Sequence, residues 1–193
     1  MNRRNFLVCW SLAMWPAVWL PSAWGRGALA RTPSQTEGPF YPVVAIPFRE
    51  SLIGDQAVVN GTPMWLSGRV LDMSGHPMTD CRVEIWQCDG AGIYHHPRQS
   101  GHDQVDRHFA GFGAALTDSQ GHYRFHTLYP VPYTGRPPHI HVKIWQGGRE
   151  LLTTQLYLQG QTGNEWWARN REALQIDPLP HSDGLAANYD FVV

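Results

Sequence analysis

Residues 127–141 read T-L-Y-P-V-P-Y-T-G-R-P-P-H-I-H, a run in which phenols and imidazoles could meet at one metal ion. His139 and His141 stand two apart. In a β-strand that spacing points both rings to one face, with Cα atoms roughly 6.6 Å apart. Ile140, Val142 and Ile144 then face the other way, toward a core. Pro137 and Pro138 keep the approach extended, because proline fixes its own φ and biases its predecessor to β or polyproline geometry. Tyr129 and Tyr133 precede this strand, and Tyr94 follows the glycine-rich bend of W-Q-C-D-G-A-G-I-Y-H-H-P. Two imidazoles and two phenolates suit a hard, highly charged cation, with ferric iron the first candidate. A free phenol has a pKa of about 10, so tyrosinate at neutral pH needs such a cation beside it. Zinc or copper is the weaker choice, since zinc sites favour His, Cys and carboxylate over tyrosinate.

These side chains need short strands to carry them. Trp65–Leu71 is strand-like, and Met73–Pro77 (M-S-G-H-P) is a turn. In Arg82–Gln87, Val83 and Ile85 alternate with Glu84 and Trp86, the period of a half-buried strand. A turn at Asp118–Gly121 leads into Tyr123–Thr127, and His139–Trp145 is followed by a Gly147-Gly148 turn and Leu151–Leu158. Strands at such regular spacing predict an all-β antiparallel sandwich. Residues 31–64, rich in Pro, Gly and Thr, read as an extended N-terminal arm, and residues 65–193 as the sandwich domain. Asn164–Leu174 is the one stretch with a helical pattern, a short helix near the C-terminus.

The first 30 residues read as an export signal. Arg3 and Arg4 precede Asn5-Phe6-Leu7, no charge follows until after Trp24, and Ala28-Leu29-Ala30 offers a cleavage site. The paired arginines resemble a twin-arginine signal, a route that carries folded proteins with their cofactors. The expected destination is periplasmic or extracellular, with no membrane span left after cleavage. Cleavage would leave 193 − 30 = 163 residues with a charge of 12 − 16 = −4, which argues against a nucleic-acid partner. Cys9 would leave with the signal. Cys81 and Cys88 would lie about 23 Å apart along an extended strand, beyond disulfide reach.

The chain resembles the intradiol ring-cleavage dioxygenases of the protocatechuate 3,4-dioxygenase type. The matching pieces run in order from T-P-S-Q-T-E-G-P-F-Y (Thr32–Tyr41) through L-S-G-R-V-L-D, V-E-I-W-Q, G-I-Y-H-H-P and A-L-T-D-S-Q-G-H-Y-R-F. P-Y-T-G-R-P-P-H-I-H and T-T-Q-L-Y (Thr153–Tyr157) complete the series. The resemblance implies that Tyr94, Tyr133, His139 and His141 are the four ligands of a non-haem Fe(III). It makes Tyr133, rather than Tyr129, the phenol that leaves the metal when substrate arrives. Arg136 and Gln155 match positions that steady charge on the substrate ring. The implied reaction uses dioxygen to cleave a catechol-type ring between its two hydroxylated carbons, giving a cis,cis-muconate-type diacid. A chain bearing all four ligands could act alone or as a homo-oligomer, although related enzymes pair with a second subunit.

Two departures bear on specificity. Thr134 and Gly135 alone separate Tyr133 from R-P-P-H-I-H, where protocatechuate enzymes carry a longer segment, so a more open pocket is expected. Lys143, the only lysine, falls by alternation on the side of the histidines. His95, His96, His102, His108 and His126 read as solvated or supporting groups, and Trp166 and Trp167 as core or interface anchors. The alternative is a non-enzymatic β-sandwich binding module of the cell envelope. It leaves the coincidence of phenols with a His-x-His strand unexplained.

Overall fold

Apolar residues at every second position build two facing five-stranded sheets in the computed structural model, which describes residues 28–54, 58–133, 135–162 and 170–193. Strand β1 (Pro63–Leu71) is the hub of one sheet, pairing antiparallel with β4 (His122–Leu128). The other sheet runs in the order β3-β2-β5-β6-β7. It comprises β2 (Arg82–Trp86), β3 (Phe112–Leu116), β5 (His139–Gln146), β6 (Arg149–Leu158) and β7 (Gln175–Ile176). The all-β sandwich expected from strand spacing is the observed architecture.

The pairing is not purely antiparallel. After β8 (Leu179–His181), the C-terminal strands β9 (Gly184–Asn188) and β10 (Phe191–Val192) both lie parallel to β1, and β7 lies parallel to β6. The tail thereby closes edges that β1 and β6 would otherwise leave unpaired. The helix expected at Asn164–Leu174 falls largely on residues outside those described, as do Trp166 and Trp167. Its described end, Arg171–Leu174, is one turn of 3-10 helix. The export-signal reading of residues 1–30 also lies almost entirely outside the described residues. No described helix is long and apolar enough to cross a membrane.

The core lies between the sheets. Leu66, Phe125 and Leu128 from one sheet meet Val83, Ile85, Ile140, Val142 and Ile144 from the other, all fully buried. Each such side chain contributes roughly 1.5–3 kcal/mol on leaving water. Strand β5 departs from the half-buried pattern, since six of its eight residues are buried. The reason is the arm. Its residues 33–41 run across β6 and over the outer face of the second sheet, tied to β6 by Gln35 N–H to Thr153 O (2.9 Å) and Thr154 Oγ1 to Pro33 O (2.7 Å). Cys81 and Cys88 are free and buried.

Phe125 packs inside the sandwich, on the sheet that does not carry His139 and His141. Phe125→Ala is therefore expected to cost about 4 kcal/mol in urea unfolding, the range for an aromatic cavity, while any bound metal keeps its spectrum. A loss under 1 kcal/mol would show that this core is not packed as described.

Candidate metal centre

The outer face of β2-β5-β6 carries a cross-strand row. Trp86 pairs with His141 and His141 with Gln155, while His139 pairs with Tyr157 and Lys143 with both Glu84 and Thr153. Period-2 alternation puts all of these on the face opposite Ile140 and Val142. The indole of Trp86 stacks on the His141 ring at 4.7 Å with only 5° between planes. The imidazole is thereby fixed in rotation.

Both imidazoles are 1% exposed. His139 Nδ1 lies 2.7 Å from the Pro137 carbonyl, which can only accept, so Nδ1 holds the proton and Nε2 is left with its lone pair. That Nε2 sits 3.1 Å from Nε2 of His141. Burial holds His139 far below the usual histidine value, at about 4, and His141 well below it too. Both rings are neutral at physiological pH, the state in which imidazole binds metals.

The phenols arrive on two loops. Buried Asp89 organises the glycine-rich bend before Tyr94: its Oδ1 accepts from Ala91 N–H and Ile93 N–H (2.9 Å each) and its Oδ2 from Asp106 N–H (2.8 Å). Tyr133 is held where Arg136 N–H closes a turn onto its carbonyl at 2.7 Å, with Gly135 at φ 72°. Thr134, between them, lies outside the described residues. The Tyr94 ring is 5.1 Å from Tyr133 and 6.1 Å from His141, and Tyr133 is 5.6 Å from His139. Tyr129 instead packs against the central core, with its hydroxyl accepting from Gln161. Four rings converge at one place, and Tyr129 is not among them.

Tyr94 Oη is buried with no hydrogen-bond partner among the described residues, and desolvation pushes its phenol well above its usual value. Tyr133 shifts the same way by burial, less severely. An unpartnered phenol beside the His139 lone pair, with His141 Nδ1 also unpartnered among the described residues, is costly in a buried place unless a cation draws on them. Among the described residues no three His, Cys, Asp or Glu side chains gather to hold a metal. A metal held here would need the phenols to complete its donor set. That set fits ferric iron, whose charge would reverse the burial penalty on the two tyrosinates.

Arg136 and Gln155 join the cluster. Arg136 Nη2 donates to Gln155 Oε1 at 2.8 Å, Tyr157 Oη donates to the same oxygen at 2.8 Å, and Gln155 Nε2 donates to Thr36 O at 2.7 Å. Arg136 Nε is buried without a partner among the described residues. Of the remaining histidines, His96 is buried beside Phe40, while His126 stacks on Trp65 at 4.3 Å, away from the centre. Lys143 does lie on the histidine side, but it is paired with Glu37 and Glu150.

Several residues of the site carried no assigned role in the sequence. Trp86 braces His141, Tyr157 lies 5.8 Å from the His139 ring, and Asp89 shapes the Tyr94 bend. Above all, T-E-G-P-F-Y of the arm forms the roof. Phe40 stacks on Tyr94 at 4.7 Å, and a Cβ at Gly38 would stand 3.2 Å from Cε1 of His141. The signal was present, since a glutamate and two aromatics are unusual cargo for a mere linker.

Fold and site together define a β-sandwich protein built around a centre of two imidazoles and two phenols. Comparison with known proteins narrows this class. A family model described as dioxygenase matches residues 36–167. The protocatechuate 3,4-dioxygenase beta chain of Burkholderia cepacia is 34% identical over 70% of this chain and 66% of its own length. The catechol 1,2-dioxygenase of Acinetobacter baylyi is 31% identical over 79% of this chain and 55% of its own. The chain thus spans roughly half to two thirds of these curated relatives. Among solved structures, the dioxygenase domain of a dioxygenase and carbohydrate-binding fusion protein from Streptomyces sp. SirexAA-E superposes with a TM-score of 0.69. It is 32% identical and covers 85% of this chain and 98% of its own. The chain belongs to the intradiol ring-cleavage dioxygenase family.

Gly38 combines a left-handed φ of 79° with the tight approach to His141. Gly38→Ala is expected to displace that ring and weaken iron binding about tenfold, as changes behind a metal ligand do, read by competition with a chelator. Unchanged affinity would mean that the arm does not brace the centre.

Proposed function

We propose that this protein is a non-haem Fe(III) dioxygenase that opens a catechol-type ring between its two hydroxylated carbons, giving a cis,cis-muconate-type diacid. Carrying this reading is the convergence of the Tyr94, Tyr133, His139 and His141 rings on one buried place, with Tyr94 Oη and two imidazole Nε2 atoms turned inward. Family membership supports it, as do the relatives named for catechol and protocatechuate cleavage.

Ferric iron would hold the catecholate and withdraw electron density from its ring, which opens a ring carbon to dioxygen. The protein's residues set the conditions. Tyr94, His139 and His141, all nearly fully buried, are the permanent ligands. Tyr133 is only half-buried, so it is the phenol free to give way. Its Oη takes a proton from the incoming substrate hydroxyl as it moves aside. Two tyrosinates would offset two of the three charges of Fe(III), and Tyr133, leaving as a neutral phenol, would give up its share to the negative oxygens of the substrate. Arg136, oriented by Gln155, presents its guanidinium to negative charge building on the ring oxygens. Trp86, Phe40 and the roof of the arm keep water from the reacting carbon.

Two outcomes test this reading. Purified protein reconstituted with iron is expected to be red-brown and to consume oxygen with catechol. Tyr94→Phe should abolish the band, Tyr133→Phe should keep iron but alter substrate binding, and Tyr129→Phe should do neither. A colourless protein saturated with zinc, or equal iron loss in both of the latter mutants, contradicts it. The second outcome concerns the tight Tyr133–Arg136 turn, which leaves no long segment over the pocket. Alkyl-substituted or bulky catechols should then be cleaved at least as well as protocatechuate, measured by oxygen consumption. Uptake confined to protocatechuate would oppose it.

A further inference from the structure

Lys143 is 5% exposed, a costly place for an ammonium unless it is paired. It stands two residues beyond His141 on the same face of β5, and its Nζ meets a carboxylate oxygen of Glu37 from the arm. Glu150 Oε2 lies 3.6 Å away on the other side, while Glu150 Oε1 accepts from Thr153 Oγ1 at 2.7 Å. Above the ammonium lies the Tyr41 ring, 4.2 Å from Nζ, and beside it the Trp145 ring at 5.4 Å. Tyr41 Oη and Trp145 Nε1 both donate to Glu84, at 2.8 and 3.0 Å, and Glu84 also accepts from Arg82. The one lysine of the chain is enclosed by the arm and the sheet together.

We propose that Lys143 is a positioning residue for the intradiol reaction, clamping Thr36–Tyr41 onto the metal centre through Glu37; this rests on the function proposed above. The geometry gives each residue of that segment a task. Thr36 O holds the amide of Gln155, and Gln155 holds Arg136. Gly38 abuts the edge of His141 and Phe40 covers Tyr94. Pro39 O accepts from Arg98 at 2.6 Å and Tyr41 is tied to Glu84, so the two ends of the segment have anchors of their own. Between Thr36 and Pro39, the Glu37 side chain supplies the polar tie to the sheet among the described residues, and it reaches Lys143. Releasing it frees the backbone at Gly38, the point nearest an imidazole ligand. The same pairing removes Lys143 from any contact with substrate. Its ammonium is already neutralised by two carboxylates, which leaves Arg136 as the cation next to the rings.

Lys143→Met tests the clamp, because methionine fills the buried stem space while Glu37 and Glu150, 42% and 45% exposed, can return to water. The first readout needs no iron. Amide exchange of a peptide spanning residues 36–41 in the metal-free protein should quicken about tenfold, with the β1 and β4 peptides unchanged. The second is kinetic. In the iron-loaded enzyme, kcat/KM for catechol should fall about tenfold, and Lys143→Arg should restore most of it. Glu37→Gln should reproduce the loss, and the double variant should be no worse than either single one. Arg69→Met, which breaks the exposed pair with Asp190, should change neither readout. Exchange at 36–41 equal to that of the parent, or a rise shared by every sheet peptide, overturns the proposal. So does an additive double variant. Failure of the function itself would appear differently, as a parent protein that neither binds iron nor consumes oxygen whatever the exchange result.

Discussion

Two imidazole nitrogens 3.1 Å apart inside a dry site impose the constraint on which the rest of this structure turns. One of them is fixed as a lone pair by the Pro137 carbonyl, and a phenol beside them has no partner. Such a group of acceptors is stable only when something positive stands among them or when the surrounding fold compels it. The surrounding fold is rigid here. Trp86 holds one ring by stacking, and β5 is buried on both faces between core and arm. Charge on a bound cation would do what no side chain can. It would stabilise two tyrosinates at a pH where burial otherwise keeps the phenols protonated.

The placement of the centre on a sheet face explains its order. Three neighbouring strands contribute one aligned row, from Trp86 through His141 to Gln155, so that a ligand, its brace and a positioning amide share a single register. A slip of one residue in β5 would turn both histidines into the core and Ile140 into the site. The loops add what strands cannot. The Asp89 bend and the Tyr133 turn bring phenols inward at angles a regular strand does not offer. The arm then roofs the assembly and converts a sheet face, normally wet, into an interior.

Much of this was legible from local pattern. Alternation in H-I-H-V-K-I placed the imidazoles on one face, and strand spacing gave the sandwich, because period and turn residues are local properties. Pairing partners were less accessible. Phe112–Leu116 is only five residues with two alanines, and the C-terminal strands are two to five residues long, too short for a period to show. They form strands because edges of β1, β2, β6 and β9 await them, a tertiary cause that no window of sequence contains. The contacts of the arm were hidden for a related reason. Its lack of regular structure was evident, but its pairing with Lys143, Gln155 and Tyr94 joins residues about a hundred or more positions apart in most cases, and about fifty in the last.

The central claim is that one iron ion sits among four named rings. X-ray diffraction from iron-loaded crystals, collected on either side of the iron absorption edge, tests this most directly. The account predicts a single strong anomalous peak at about 2 Å from Nε2 of His139 and His141 and from Oη of Tyr94 and Tyr133, the usual metal–oxygen and metal–nitrogen separation. A peak elsewhere in the molecule, or one whose height does not fall when the energy is lowered through the iron edge, contradicts it.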